Sequence, residues 1–150
     1  MRSALWVVSV LCRTTPDNLP SDYAALILIG GMQWQSPEAE RVFPIVQDAF
    51  EKGKVIGGIC NAASFLCAHG FLNKVKHTGN TLAVLKQWGG ERYTNEDGYL
   101  EKQAVGDKNI VTANGTGYLE FTRELLLALK ADTQEKIEAF YDFSKNGLVR

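Results

Sequence analysis

The chain has 150 residues, of which 45% are hydrophobic and 22% are charged, a composition that excludes disordered and collagen-like proteins. Sixteen basic against seventeen acidic residues give a net charge of −1, without the basic excess typical of nucleic-acid-binding proteins. Three cysteines are too few, and odd in number, for a disulfide framework, which favours the cytoplasm. The length predicts one domain, residues 1–150.

The first predicted strand is the apolar run Ala4–Leu11. Because the run is short and Arg13 follows where a cleavage site needs small residues, a strand fits better than a signal peptide. The second predicted strand, Ala24–Ile29, is apolar without interruption, which is typical of parallel strands covered on both faces. A helix is then predicted with Ser36 as its N-cap, and Pro44 is expected to kink it or delay its regular start.

The rest of the chain continues this alternation. In order, the sequence predicts a strand at Lys54–Ile59, a helix at Asn61–His69, a short strand around Lys74–Thr78, a helix near Thr81–Trp88, a polar hairpin or excursion at Glu91–Asp107, a strand at Asn109–Ala113, a helix at Thr116–Lys130 and a last helix over 131–147 with Asp132 and Glu135 as its capping pair. The longest run without charged residues, Val55–Asn73, contains too many glycines and polar residues for a membrane-spanning helix. The pattern predicts an α/β fold with a largely parallel sheet.

One strand end carries the residues of a nucleophile elbow. The strand ends at Cys60 and a helix begins at once, with Gly58 two residues before the cysteine and Ala62 two residues after it. Small flanking residues let the strand and the helix pass each other in such a turn, and the central side chain stands exposed. The alternative is an inert cysteine buried in the core. The spacing and its context favour a reactive thiol, which the helix N-terminus would stabilise as a thiolate.

Two other strand ends supply candidate pocket groups. Gly30 and Gly31 follow the second strand, and a backbone N–H there could form a two-donor oxyanion hole with that of Asn61. The alternative is a plain Gly-Gly turn. A third strand end carries Gly115 and Thr116 in a Gly-x-Gly that lacks the third glycine of a dinucleotide fingerprint, so it is interpreted as a tight turn lining the pocket. No cofactor and no metal site are predicted.

A nucleophilic cysteine normally needs a base, and the chain has two histidines. His69 lies near the end of the helix that follows Cys60 and is expected to cap that helix. His77 follows on the next short strand and is the better candidate for the base. The alternative for His77 is a surface imidazole without a catalytic role.

Four segments together carry a resemblance to a known family: Asp22–Gly31, Gly53–Cys60, His77–Asn80 and Asn109–Thr116. In order and spacing they resemble the ThiJ/PfpI family of the class I glutamine-amidotransferase-like superfamily. The resemblance implies a flavodoxin-like sandwich, with a mostly parallel central sheet and helices on both faces, and a homodimer. It implies a reactive Cys60 with an oxyanion site at Gly31 and Asn61, acting on a small-molecule substrate. The charge balance and the apolar runs described above predict neither nucleic acid nor a membrane as a partner.

The chain departs from the family pattern at two places. Asn80 stands where many members have a histidine, and an asparagine can orient a substrate but cannot accept a proton. Members usually begin with a strand and a helix whose connecting loop supplies a glutamate to the cysteine. No glutamate precedes Glu38 in this chain, so that opening unit is expected to be missing.

Three functions are compatible with these observations. The favoured one is a cysteine-dependent hydrolase or amidase, in the range of the family's protease, glyoxalase-like and deglycase-like members, which acts on small acyl or carbonyl substrates through Cys60. The second is a redox-sensing stress-response protein in which that thiol is oxidised. The third is a catalytically degenerate glutamine-amidotransferase-like binding subunit, which both departures from the family pattern would favour.

Overall fold

The computed structural model describes residues 19–148, and the predicted strand Ala4–Leu11 lies outside them. The strands are β1 (Ala25–Leu28), β2 (Val55–Ile59), β3 (Ala104–Asp107) and β4 (Ile110–Ala113). The α-helices are α1 (Phe43–Glu51), α2 (Asn61–Ala68), α3 (Leu82–Gly89), α4 (Tyr118–Ala128) and α5 (Gln134–Asn146). Short 3₁₀ segments occupy Met32–Gln35, Pro37–Val42, Gly90–Arg92 and Glu96–Gly98.

The described strands form one mostly parallel sheet in the order β1-β2-β4-β3. β1 and β4 pair with β2 in parallel, and β3 pairs with β4 as an antiparallel hairpin. Successive residues of β2 face opposite sides of the sheet. Ile56 packs with the cluster formed by α1 and α2, whereas Val55 packs with Phe121 of α4. The prediction of a flavodoxin-like sandwich with helices on both faces is confirmed.

Local sequence explains how the first helix begins. Ser36 precedes the 3₁₀ segment Pro37–Val42, but its side chain makes no capping hydrogen bond. Regular α-helix starts only at Phe43, with Pro44 in the first turn, where the missing proline N–H costs no intrahelical hydrogen bond. Pro44 therefore delays the regular helix, as predicted.

Two element predictions need correction. The segment Lys74–Thr78 is not a strand, because only His77 makes a ladder contact, an isolated bridge with Tyr99. The N-cap of α5 is Thr133 rather than Asp132. The Thr133 hydroxyl accepts a hydrogen bond from the N–H of Lys136 at 3.4 Å, whereas the Asp132 carboxylate accepts one from the N–H of Thr133 at 2.8 Å.

Two features are absent from the described residues, 19–148. Within this range no helix is both long enough and apolar enough to cross a bilayer. In the same part of the chain, no group of three or more histidine, cysteine, aspartate or glutamate side chains lies in an arrangement suited to a metal ion.

Candidate active site

The loops that follow three strands meet at one edge of the sheet. β1, β2 and β4 are mutually parallel, with Leu28 opposite Gly58 and Ile59 opposite Ala113, so their carboxyl ends lie side by side. Ligand sites of open α/β sheets form at this edge. The next residues along the chain are therefore brought together here.

Two glycines after these strands lie directly against Cys60. A Cβ added to Gly30 would lie 2.9 Å from the Cβ of Cys60, and one added to Gly115 would lie 3.2 Å from its Sγ. A Cβ essentially never approaches another atom closer than 3.0 Å, so Gly30 has no room for a side chain. The absence of side chains at both positions leaves room around the sulfur, and Cys60 is partly exposed.

Cys60 occupies a strained backbone position between β2 and α2. Its φ of 60° and ψ of −129° lie in a region that side-chain-bearing residues rarely adopt and that costs on the order of 1–3 kcal/mol. Hydrogen bonds hold the turn on both sides: the Cys60 N–H donates to the carbonyl of Ala113 at 2.9 Å, and the Cys60 carbonyl accepts from the N–H of Ala63 at 3.0 Å. This is the strand–turn–helix geometry of a nucleophile elbow.

The small residues that flank the elbow are required by packing. A Cβ on Gly58 would lie 2.7 Å from Cδ1 of the fully buried Leu66 and 3.3 Å from the backbone of Ala62. β2 and α2 therefore approach each other closely enough that only glycine fits at position 58. The glycine that indicated the elbow in the sequence is therefore the residue that this close approach requires.

The two cysteines in the described part of the chain have different environments. Cys60 is partly exposed at the N-terminus of α2, where the helix dipole favours negative charge. Cys67 is fully buried, and desolvation raises its pKa to about 12. Its sulfur lies 3.4 Å from the carbonyl of Leu85, a contact within reach of an S–H donor. Cys67 is therefore an inert core thiol, and Cys60 is the accessible one.

The side-chain amide of Asn80 contacts the Cys60 sulfur and links it to the amide of Asn61. Nδ2 of Asn80 lies 3.5 Å from Sγ and 3.3 Å from Oδ1 of Asn61. Oδ1 of Asn80 accepts a hydrogen bond from the N–H of Gly115 at 2.9 Å. Nδ2 of Asn61 donates to the carbonyl of Gly31 at 3.1 Å. These contacts bring together Gly31, Cys60, Asn61, Asn80 and Gly115, all of which the sequence indicated as site residues.

The contacts of Thr116 are directed away from the sulfur. Its hydroxyl lies 2.9 Å from side-chain oxygens of both Gln103 and Asn114, and its N–H donates to Asn114 at 3.0 Å. Thr116 therefore stabilises the turn after β4, and the neighbouring Gly115 makes the contact with the site.

The prediction that His77 serves as the base is not supported by its environment. The side chain is fully buried. Its Nδ1 lies 2.8 Å from the carbonyl of Val75 and its Nε2 lies 2.7 Å from the hydroxyl of Tyr93, so both ring nitrogens are engaged. Burial lowers the pKa of His77, which keeps the imidazole neutral. His77 is a buried structural histidine, and Asn80, three residues later, reaches the sulfur instead.

An open cavity of about 940 Å³ adjoins the amide cluster. Its walls include Asn80 and Asn114 from the site and the N-terminal residues of α3. Further walls come from the excursion before β3, which contributes Tyr99, Glu101, Lys102 and Gln103. Sequence reasoning missed these four residues because the excursion carries no motif; its polar composition was the one available signal.

Comparison with known proteins identifies related sequences. The DJ-1/PfpI family profile matches residues 8–128. A protein of Bacillus subtilis named "Uncharacterized protease YdeA" is 39% identical over 128 residues, which cover 85% of this chain and 64% of that protein. A second one, "Uncharacterized protease YoaZ", is 34% identical over 120 residues, which cover 80% of this chain and 57% of that protein. The chain thus spans less than two thirds of the length of these curated relatives.

Solved structures show the same relationship. A thiJ/pfpI family protein from Bacillus anthracis superposes with a TM-score of 0.80 at 30% identity, covering 88% of this chain and 62% of that one. A DJ-1 superfamily protein from Agrobacterium tumefaciens superposes with a TM-score of 0.73 at 33% identity, covering 87% of this chain and 70% of that one. Sequence, fold and the elbow agree, and the chain belongs to the DJ-1/PfpI family.

Proposed function

We propose that this protein is a cysteine-dependent hydrolase of small acyl or carbonyl compounds, with Cys60 as its nucleophile. The observation that carries the proposal is the strained elbow, which places the partly exposed Cys60 beside two glycines and the side-chain amide of Asn80. Strain of this kind persists where the surrounding structure holds it in place, and it concentrates at functional sites. The protease names of two relatives agree with acyl chemistry at this position.

The reaction begins with attack of the Cys60 thiolate on the carbonyl carbon. A carbon–sulfur bond forms, and the carbonyl electron pair moves to the oxygen, which becomes an oxyanion. Asn61 is the first residue of α2, so its N–H is not used by the helix and is available to the oxyanion, with a second donor from the Gly31 loop. With an acyl substrate, collapse breaks the bond to the leaving group, which departs as an anion with the electron pair. Water then adds to the thioester and the carbon–sulfur bond breaks, which releases the carboxylic acid and restores the thiolate. The remaining proton of the water passes through solvent to the departed anion.

Replacement of the sulfur tests the proposal. Cys60→Ala is expected to abolish turnover on a panel of aryl esters, thioesters, amides and 2-oxoaldehydes, each followed by product release. The matched control is Cys67→Ala, which removes the buried thiol beside the carbonyl of Leu85. This variant should leave the turnover rate per folded molecule unchanged. Equal turnover by wild type and Cys60→Ala would refute a cysteine-dependent reaction, and no turnover by either would favour a binding subunit.

Redox sensing is the second candidate, and the contrast between the two thiols favours it. Cys60 is partly exposed, whereas burial holds Cys67 protonated. Mild peroxide is therefore expected to convert Cys60 to a sulfinic acid before Cys67, because the thiolate is the reactive form. Peptide mass mapping over a time course measures the order of oxidation, and parallel oxidation of both residues would contradict this role.

We also propose that the protein forms a homodimer and works on its small-molecule substrate in the cytoplasm. Ile29 and Met32, beside the site, are 66% and 86% exposed, and apolar side chains this exposed favour a covering partner. Sedimentation velocity of the wild type and of Met32→Glu would measure the assembly, and a monomeric wild type at micromolar concentration would contradict it. Free thiols at both described cysteines suit a reducing compartment.

A further inference from the structure

The amides around Cys60 form a chain of hydrogen bonds whose direction is fixed at both ends. One end is the N–H of Gly115, which can only donate, so the atom of Asn80 that faces it must be the side-chain oxygen. The other end is the carbonyl of Gly31, which can only accept, so the atom of Asn61 that faces it must be the nitrogen. The central contact, from the nitrogen of Asn80 to the oxygen of Asn61, agrees with both assignments.

This polarity decides which group of Asn80 faces the sulfur. With its oxygen held by Gly115, Asn80 presents its NH₂ group to Sγ of Cys60 at 3.5 Å. A reversed amide would direct NH₂ against the N–H of Gly115 and oxygen against the oxygen of Asn61, two repulsive contacts. The group beside the sulfur is therefore a hydrogen-bond donor whose orientation is set by three loops.

We propose that Asn80 is a positioning residue that holds the Cys60 sulfur as an oriented thiolate by donating a hydrogen bond to it, and that the site consequently uses acyl donors whose leaving group departs as an anion. The second half of this proposal rests on the hydrolase function proposed above. Hydrogen bonds to a charged acceptor are about twice as strong as those between neutral groups. The donor thus favours the thiolate over the thiol.

The chemistry of an amide sets the substrate class. An aryl ester or a thioester loses its leaving group with the electron pair of the broken bond, as a phenolate or a thiolate, and needs no proton at that moment. A peptide bond must protonate its amine as the carbon–nitrogen bond breaks, which in protease triads is done by a histidine. Asn80 has no transferable proton, and the ring nitrogens of His77 are engaged elsewhere. Oxygen and sulfur esters therefore suit this site, and peptides do not.

The pH dependence of Cys60 alkylation by iodoacetamide tests the donor directly, in the full-length protein and without any substrate. In Asn80→Ala the pH midpoint is expected to rise by about one unit, equivalent to a tenfold loss of thiolate, the size expected for a hydrogen bond to a charged group. Asn80→Asp keeps the shape and the acceptor for Gly115 but presents an oxygen to the sulfur, so its midpoint should rise further. The charged side chains on the adjoining cavity wall, Glu101 and Lys102, are exposed and identical in all these proteins.

Asn109→Asp is the control for an added negative charge. Asn109 is exposed and donates a hydrogen bond to the carbonyl of Gly53, outside the amide chain. The pH midpoint of Cys60 alkylation in this variant should therefore equal that of the wild type. A role of Asn80 in packing alone would slow alkylation at every pH without moving the midpoint. An unchanged midpoint in Asn80→Ala, in a variant whose circular dichroism is native, would overturn the donor role.

The substrate class is tested with two compounds that share an acyl group, 4-nitrophenyl acetate and 4-nitroacetanilide. We expect Cys60-dependent release from the ester and none from the anilide, and about tenfold slower ester turnover in Asn80→Ala. Cys60-dependent cleavage of the anilide would overturn the substrate class. Absence of Cys60-dependent turnover on both compounds would refute the proposed hydrolase, whereas the alkylation result would still decide the role of Asn80.

Discussion

The strained backbone at Cys60 leads to a stability prediction that is independent of any substrate. At ordinary positions, glycine is less stable than alanine, because glycine loses more conformational freedom on folding. Cys60 has a φ of 60° and a ψ of −129°, where a Cβ is crowded by the backbone and a glycine is not. We therefore expect the usual order to be reversed, with Cys60→Gly more stable than Cys60→Ala.

The magnitude follows from two opposing effects. Relief of strain stabilises the glycine variant by on the order of 1–3 kcal/mol, and the larger entropy of its unfolded chain costs roughly 0.5–1 kcal/mol. The difference between the two variants should be about 1 kcal/mol, or about 2–4 °C in melting temperature for a chain of this size. Both variants lack the sulfur, so lost contacts of Sγ cancel in the comparison.

Urea unfolding followed by circular dichroism measures this difference. The control is Ala139→Gly in the middle of α5, where Ala139 is exposed and helical. There the glycine variant should be less stable than the wild type by about 1 kcal/mol. If Cys60→Gly is less stable than Cys60→Ala, as at a helical position, the elbow is not strained and the reasoning from strain to reactivity fails.

Three further predictions follow from packing and charge. Gly58→Ala should lower the free energy of unfolding, measured in urea, by about 1–3 kcal/mol, because the added Cβ would lie 2.7 Å from a buried leucine. Gly31→Ala is the control: its Cβ would meet nothing closer than 4.0 Å, so the free energy of unfolding should change by less than about 0.5 kcal/mol. The hydrogen bond donated by Lys145 lowers the pKa of Glu120 from its ordinary value of 4.5 to about 2, so the stabilisation that Glu120 provides is complete above pH 4.5 and is lost as the pH falls towards 2. Glu120→Gln should therefore flatten the acid dependence of the free energy of unfolding in this window, measured by urea unfolding. His77→Ala should lower the free energy of unfolding by about 3 kcal/mol, because both ring nitrogens make hydrogen bonds in the core. The alkylation rate of Cys60 per folded molecule should be unchanged, and a slower rate would restore His77 as a candidate base.

The sequence was most informative where backbone geometry imposes a residue type. A tight turn between a buried strand and a helix needs small neighbours, so Gly58 and Ala62 indicate the position of the elbow from the sequence alone. Parallel strands place their carboxyl ends at one edge, so the residues after β1, β2 and β4 were predicted to converge. Both inferences depend on short-range patterns and on a general property of sheets.

The role of His77 depended on contacts that no local pattern encodes. Its position within one of the segments that carry the family resemblance fits a catalytic residue and a buried one equally well. The outcome is decided by Tyr93, whose hydroxyl lies 2.7 Å from Nε2 although it is 16 residues away. A buried imidazole stabilises the fold only while both of its hydrogen bonds, to Val75 and Tyr93, are kept. Proton transfer to a substrate would break one of them, so His77 is a poor proton carrier.

The fixed contacts of Asn80 also suit this residue to the position beside the sulfur. An imidazole there would exchange protons, whereas an amide held between Gly115 and Asn61 keeps one orientation at every pH. The fold thus places a fixed donor, rather than a titrating base, beside the sulfur of the strained and partly exposed Cys60. We therefore expect the rate at such a site to vary with the leaving group and with the fraction of Cys60 present as thiolate, and not with the protonation of a separate base.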